Sequence, residues 1–323
     1  MIETPEASNG DAMTNYMLKG KVLGEGAFGT VRLGTQLSTG KIVAVKTYYK
    51  LKIIQEDTLK GISREADLMA KVISNHVVRF IEKIENVRNI HVVMEYAGKW
   101  NLKTFLETHA NLKKPTDVAK LLYGITKGLQ SIHSQRIIHR DLKLENIVLN
   151  AVDSPKIVDF GFAREFSAVS PASNPFGVCG TIFYMSPELL KERIAAAKKD
   201  KATIMEQYFN QAGDVKEPDR AVVNPLESVE AEPPVNPQPY DPIKVDIWAL
   251  GVIFYYVLAR KLPFTGGNEI EVRKLIQESD PDYKDFEPEE VALVSCLLQR
   301  DPALRPMTSE ILSHRYFSSC KDM

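Results

Sequence analysis

The sequence predicts an α+β fold in which a small antiparallel β-sheet with one helix precedes a larger, mainly helical part. Two observations carry that prediction. Up to residue 94, short β-branched runs separated by turn residues surround a single stretch of helical periodicity. From Leu112 onward apolar residues recur at helical spacing. The most apolar run, Ile247 to Ala259, is shorter than the roughly 20 residues a bilayer requires and reads as a buried helix. At 323 residues the chain has room for one large domain or two modest ones sharing an interface.

Basic and acidic residues nearly cancel, 41 against 42, so no global field favours nucleic acid or membrane. Cys179, Cys296 and Cys320 lie far apart without paired spacing, which suits a reducing compartment and argues against a disulfide framework or zinc site. The opening MIETPEASNGDAM lacks a basic segment followed by an apolar core, so no secretory signal is expected. These features predict a monomeric intracellular protein, cytoplasmic with the nucleus left open, that has neither nucleic acid nor membrane as partner.

In chain order, residues 1–15 are polar and expected to be disordered. Val22-Leu23 leads into Gly24-Glu25-Gly26-Ala27-Phe28-Gly29-Thr30-Val31, whose glycines let backbone approach phosphate oxygens with no side chain in the way. A dinucleotide-binding turn shares this GxGxxG spacing but should open a helix, whereas Val31-Arg32-Leu33 continues as strand. Ser38-Thr39-Gly40 turns the chain into Ile42-Val43-Ala44-Val45-Lys46. A lysine ending such a strand is partly desolvated and needs a partner. Ser63 to Val72 reads as helix, with Ile62, Ala66, Met69 and either Val72 or Ile73 on one face. Glu65 lies in it, and by itself reads as a solvated helix glutamate. Val77 to Ile84 and Ile90 to Met94 read as strands that close the sheet. Thr116 is expected to cap a helix lined by Val118, Leu121, Leu122, Ile125, Leu129 and Ile132.

That helix delivers the chain to His139-Arg140-Asp141-Leu142-Lys143-Leu144-Glu145-Asn146, a polar loop between Ile137-Ile138 and Ile147-Val148-Leu149. Asp141 can accept a proton, Lys143 can meet a phosphate, and Asn146 can offer a carbonyl oxygen to a hard cation. Asp159-Phe160-Gly161 places a further carboxylate after Ile157-Val158.

HRDLKLEN followed by DFG resembles the catalytic and metal loops of eukaryotic protein kinases. Lys143, Leu-Glu-Asn and Cys179-Gly180-Thr181 resemble serine/threonine kinases of the calmodulin-dependent and AMP-activated-like group. Ser186-Pro187-Glu188, Asp246-Ile247-Trp248 and Arg300 to Pro306 extend the resemblance over about residues 18–317. It implies a bilobal fold with an N-lobe at 16–97, a C-lobe at 98–317 and a tail at 318–323. It also implies an ATP site formed by Leu23, Gly24, Glu25, Gly26, Ala27, Phe28, Gly29, Val31, Ala44, Lys46, Glu65, Met94, Glu95, Ala97 and Val148. Glu65 would aim Lys46 at the phosphates, and Met94 would close the back of the adenine pocket. Asn146 and Asp159 are implied ligands of Mg²⁺, Asp141 the catalytic base, and Lys143 the residue that steadies the γ-phosphate. The implied activity is transfer of that phosphate to serine or threonine hydroxyls of protein substrates. A pseudokinase scaffold is the rival, but it usually lacks the lysine or one of the two aspartates, and all three stand here.

Some implications are finer. Met69, Phe80, His139 and Phe160 should form an inter-lobe stack anchored by Asp246. Glu188 and Asp246 are unusually far apart, and the Pro/Glu-rich composition approaching Tyr240 predicts a disordered insertion at about 192–240. That segment is either a tolerated surface loop or a docking element for a partner. Asn101 stands where arginine-directed relatives carry glutamate, although Glu145 remains, which implies only a mild demand for upstream arginine. Ile182, Phe183 and Met185 should form an apolar pocket for the residue after the acceptor. Arg140 and Arg164 resemble a pocket for a phosphothreonine whose position is Gly177 here. Phosphate on Ser170 or Ser173, a nearby carboxylate such as Glu165, or an acidic part of the insertion should neutralise it, unless the two arginines simply stay solvated, in an enzyme active without phosphorylation at the usual threonine.

Overall fold

The computed structural model describes residues 13–26, 29–53, 56–109, 114–166, 181–191 and 240–320. Ala27, Phe28, the serines of the 167–180 loop, Gly177, Cys179 and all but Tyr240 of the expected insertion lie outside them.

Five strands, β1 (Tyr16–Gly26), β2 (Gly29–Gln36), β3 (Ile42–Tyr49), β4 (Phe80–Glu85) and β5 (Asn89–Glu95), pair antiparallel in the order β1-β2-β3-β5-β4. Strand alternation sorts β3 cleanly. Val43 and Val45 join Tyr16, Ile84 and Val93 in a small outer cluster, while Ala44 and Tyr48 belong to the main core. Helix α1 (Glu56–Lys71) crosses beside β4 and buries Ile62, Ala66 and Met69. Val72, just past its end, completes that face, while Ile73 is 91% exposed. The helix starts well before Ser63 because its first turns, which include Gly61, carry little apolar periodicity to betray them. Val77 and Val78 are not part of β4. Val77 lies opposite Ile157 of the larger part instead, whose N–H donates to the His76 carbonyl and whose carbonyl accepts from the Val78 N–H, both at 2.9 Å, so the sheet starts only at Phe80.

The larger part holds α2 (Leu102–Thr108), α3 (Pro115–Ser134), α4 (Ile243–Ala259), α5 (Glu269–Glu278), α6 (Pro288–Leu297) and α7 (Thr308–Ser313). The six apolar residues expected along α3 are all buried. The expected cap is corrected: Thr116 lies inside the helix, Lys114 occupies the cap position, and Pro115 opens the first turn, where its missing N–H is no loss. Helix α4 is buried on all sides, which explains its apolar run from Ile247 onward. Among the described residues no helix is long and apolar enough to cross a membrane. Short strands frame the central loop: β6 (Trp100–Asn101), β8 (Ile147–Leu149) and β9 (Lys156–Ile157) form one ribbon, and β7 (Ile137–Ile138) pairs with β10 (Arg164–Glu165). Gly98, after β5, lies against Leu149, and a Cβ there would sit 2.6 Å from that residue's carbonyl carbon.

Candidate active site

Because side chains on β3 alternate, Ala44, Lys46 and Tyr48 share the face toward α1 and the cleft. Lys46 Nζ donates to Glu65 Oε1 and to Asp159 Oδ1, each at 2.8 Å. Burial opposes the ammonium charge, yet Glu65 and Asp159 outweigh it and hold the Lys46 pKa well above the ordinary lysine value. Strand register sets Val31 opposite Lys46 and Ala44 opposite Met94. Leu23, Gly24, Glu25 and Gly26 run along β1, and Gly29 opens β2, where a Cβ would fall 1.9 Å from the Thr47 carbonyl oxygen. Only glycine permits that approach. Glu95 ends β5, and its carboxylate accepts from the Arg79 N–H and from Lys156 Nζ, both at 2.9 Å. Ala97 lies half-buried against the core, and Val148 is half-buried in β8.

The loop after β7 is held from below. Asp246 of α4 accepts from the backbone N–H groups of His139 and Arg140, each at 2.8 Å, and meets His133 Nε2 at 2.9 Å. Burial alone would raise its pKa, but His133, His139 and these bonds keep it below the usual aspartate value. The grip matters because Arg140 has φ 67°, a left-handed backbone that costs a non-glycine residue about 1–2 kcal/mol. Asp141 is 5% exposed, and Lys143 Nζ at 2.7 Å and Asn146 Nδ2 at 2.9 Å both donate to its Oδ2. Asn146 Nδ2 also donates to the Asp141 carbonyl at 2.8 Å. With its nitrogen committed, the side-chain oxygen is the atom Asn146 can offer to a cation.

Asp159 is left-handed too, at φ 66°, and its Oδ1 also accepts from the Gly161 N–H at 3.3 Å. Burial pushes its pKa up, but Lys46, His139 and Gly161 pull it below the ordinary value. Phe160 is fully buried, edge-on to His139 with 5.4 Å between ring centroids. Met69 and Phe160 share one core, and Phe80 packs against it. Asn146 and Asp159 supply hard oxygen donors, a set that suits Mg²⁺, which is usually held by one or two protein oxygens together with substrate phosphates.

Among the described residues the remaining expected side chains have the following partners. Glu165 bonds to Lys71 at the end of α1, so its carboxylate is drawn toward that helix. Arg140 Nη1 meets the Phe162 carbonyl at 3.5 Å and Arg164 Nη1 the Ala163 carbonyl at 2.7 Å. Asn101 caps α2, accepting from the Thr104 N–H at 2.9 Å, and Glu145 pairs with Lys103 at 3.5 Å. A shallow hollow beside Asp141 is lined by Tyr184, Met185 and Leu189, while Ile182 and Phe183 pack against the core. Glu188 and Arg305 form a two-pronged ion pair at 2.6 and 2.8 Å. Two further participants had not been singled out in the sequence: His133, under Asp246, and Tyr48, whose hydroxyl donates to Glu65.

The family model described as "Protein kinase domain" matches residues 17–202 and 231–317. The chain belongs to the protein kinase family. Its matched segments skip 203–230, within the stretch that separates Glu188 from Asp246. The domain is similar to the probable serine/threonine-protein kinase MARK-A of Dictyostelium discoideum, 29% identical over 99% of this chain and 25% of the relative. It is also similar to CBL-interacting protein kinase 30 of Oryza sativa subsp. japonica, 28% identical over 98% of this chain and 57% of the relative. Aurora kinase of Schizosaccharomyces pombe is 26% identical over 94% of this chain and 72% of its own length. The chain thus spans from a quarter to somewhat under three quarters of these relatives.

Proposed function

We propose that the chain is a serine/threonine protein kinase that transfers the γ-phosphate of Mg-ATP to protein hydroxyls. The single observation that carries this reading is Lys46 bonded at once to Glu65 and Asp159, across both lobes of a family whose members use that lysine on phosphates. Phosphoryl transfer needs alignment and charge neutralisation more than covalent chemistry. The glycine-rich strands, with Ala27 and Phe28 between them, cover the phosphates, and Lys46, aimed by Glu65, holds them. Val31, Ala44, Met94 and Val148 enclose the adenine, which bonds to backbone at Glu95 and Ala97. Asp141 orients the acceptor hydroxyl and takes its proton, and Lys143, already beside it, steadies the γ-phosphate. Asn146 and Asp159 hold Mg²⁺, which when bound neutralises charge on the phosphates. The lobes divide at residues 97 and 98, and the 192–240 segment serves as a tolerated insertion or a docking element. An intracellular, cytoplasmic setting fits an ATP-dependent enzyme.

The test compares the wild-type chain with Asp141→Asn, using Mg-ATP and a generic protein substrate, with phosphoserine, phosphothreonine and phosphotyrosine resolved in the product. Magnesium-dependent incorporation on serine or threonine that Asp141→Asn abolishes is expected. Absence of transfer by folded wild type, or transfer undiminished by the substitution, refutes the reading and favours a scaffold.

A further inference from the structure

The geometry points to Tyr48 as a second anchor of Glu65, a positioning residue that keeps α1 and Lys46 in the arrangement phosphoryl transfer requires. The inference rests on the function proposed above, because it concerns the same lysine and glutamate. Tyr48 stands two residues beyond Lys46, so strand alternation turns both side chains toward α1. Its phenol is 7% exposed, and the hydroxyl donates to Glu65 Oε2 while Lys46 Nζ takes Oε1 at 2.8 Å. Both carboxylate oxygens are therefore held by donors from one strand, which fixes the rotation of the carboxylate as well as its position. The ring centroid also lies 5.2 Å from Lys46 Nζ, where an aromatic face attracts a cation. Burial, reinforced by the charge on Glu65, pushes the Tyr48 pKa far above the ordinary tyrosine value, so the hydroxyl remains a donor throughout the working pH range.

The arrangement answers a problem that the ion pair alone leaves open. Lys46 is shared between Glu65 and Asp159, and in the proposed reaction it must also meet phosphate oxygens. Glu65 is 3% exposed, and a carboxylate buried that deeply without a donor is strongly destabilised. When phosphate draws the ammonium away, Tyr48 keeps Glu65 satisfied and α1 docked. The neutral hydroxyl has no attraction of its own for phosphate that matches a lysine's, so it stays in place.

Tyr48→Phe keeps the ring and removes only the hydroxyl. Tyr16→Phe is the control, because it removes another hydroxyl–carboxylate bond, to Glu82, from the small outer cluster. Hydrogen exchange of the α1 segment 58–71 and steady-state kinetics at varied Mg-ATP are measured on wild type and both variants. For Tyr48→Phe we expect α1 exchange about tenfold faster, and kcat about five- to tenfold lower with KM for ATP within about twofold, because a hydrogen bond to a charged group is lost. For Tyr16→Phe neither quantity should move. Unchanged α1 exchange in Tyr48→Phe, unchanged kcat despite faster exchange, or equal losses in both variants overturns the inference. An inactive wild type refutes the functional reading instead, and the exchange measurement then decides the role of Tyr48 alone.

Discussion

Asp246 and Glu65 are both almost completely buried carboxylates, 1% and 3% exposed, yet the groups that hold them differ in kind. Asp246 sits on a helix buried on every side and is met by two backbone N–H groups and an imidazole. The two backbone donors cannot leave without unfolding the loop they belong to. Glu65 is met by the tips of two side chains from β3, one of them a lysine that is 20% exposed and shared with Asp159. The lower carboxylate fixes a backbone, including its left-handed arginine. The upper one forms an exchangeable joint, in which a phosphate oxygen can stand in for a carboxylate oxygen at the Lys46 ammonium. Rigidity lies under the proposed base, and adaptability lies where a nucleotide would arrive.

The largest effect should follow from breaking the rigid member. Asp246→Asn keeps the shape but removes the charge that three donors share, and should destabilise the protein by about 3 kcal/mol in denaturant titration. A loss below about 1 kcal/mol would place Asp246 with ordinary polar residues. Acid sharpens the same point. Asp159 and Asp246 are both depressed below the 3.8 of a free aspartate, so the unfolded chain takes up protons that the folded one refuses. Their stabilisation is complete above that value and lost as pH falls through the lower folded values. Wild-type stability should therefore drop as pH falls below about 4, and Asp246→Asn should flatten the slope. An unflattened slope would mean that other carboxylates dominate.

The adaptable member should fail in function before it fails in stability. Lys46→Met should reduce kcat/KM on the order of 10²-fold or more, with an intact fold by circular dichroism. Near-normal turnover would show that the lysine does not meet the phosphates. The smallest effect is expected at Lys71, whose bond to Glu165 links α1 to β10 but leaves both side chains about half exposed. Lys71→Ala should change stability by less than about 1 kcal/mol and kcat by less than about twofold. A larger fall would make that surface link a third control of α1.

The parts legible in the sequence were those whose chemistry fixes a spacing. Asp141, Lys143 and Asn146 must share one short loop, and the loop brings them onto one carboxylate oxygen. The core face of α3 was legible because six apolar residues repeat at 3.6. Tyr48 escaped because a tyrosine in a β-branched strand looks like ordinary filling, although counting two residues from Lys46 puts it on the same face. The cap of α3 was missed for a local reason, since Pro115 pre-empts the role that Thr116 would otherwise take. The partners of Glu145, Glu165 and Asn101 were illegible because exposed charged and amide groups settle with whichever donor the fold brings near, and no periodicity announces it.

The Arg305 guanidinium has a topological consequence. It grips Glu188 on one side of the stretch that separates the two matched parts of the family pattern, and the Lys244 carbonyl, at 2.8 Å, on the other. Lys244 returns the bond by donating to the Arg305 carbonyl. Glu188 and Lys244, far apart along the chain, are thus sewn to one knot. The helix that carries Asp246 is therefore tied through Arg305 to Glu188, and this hold on the loop before Asp141 does not run through the residues between them.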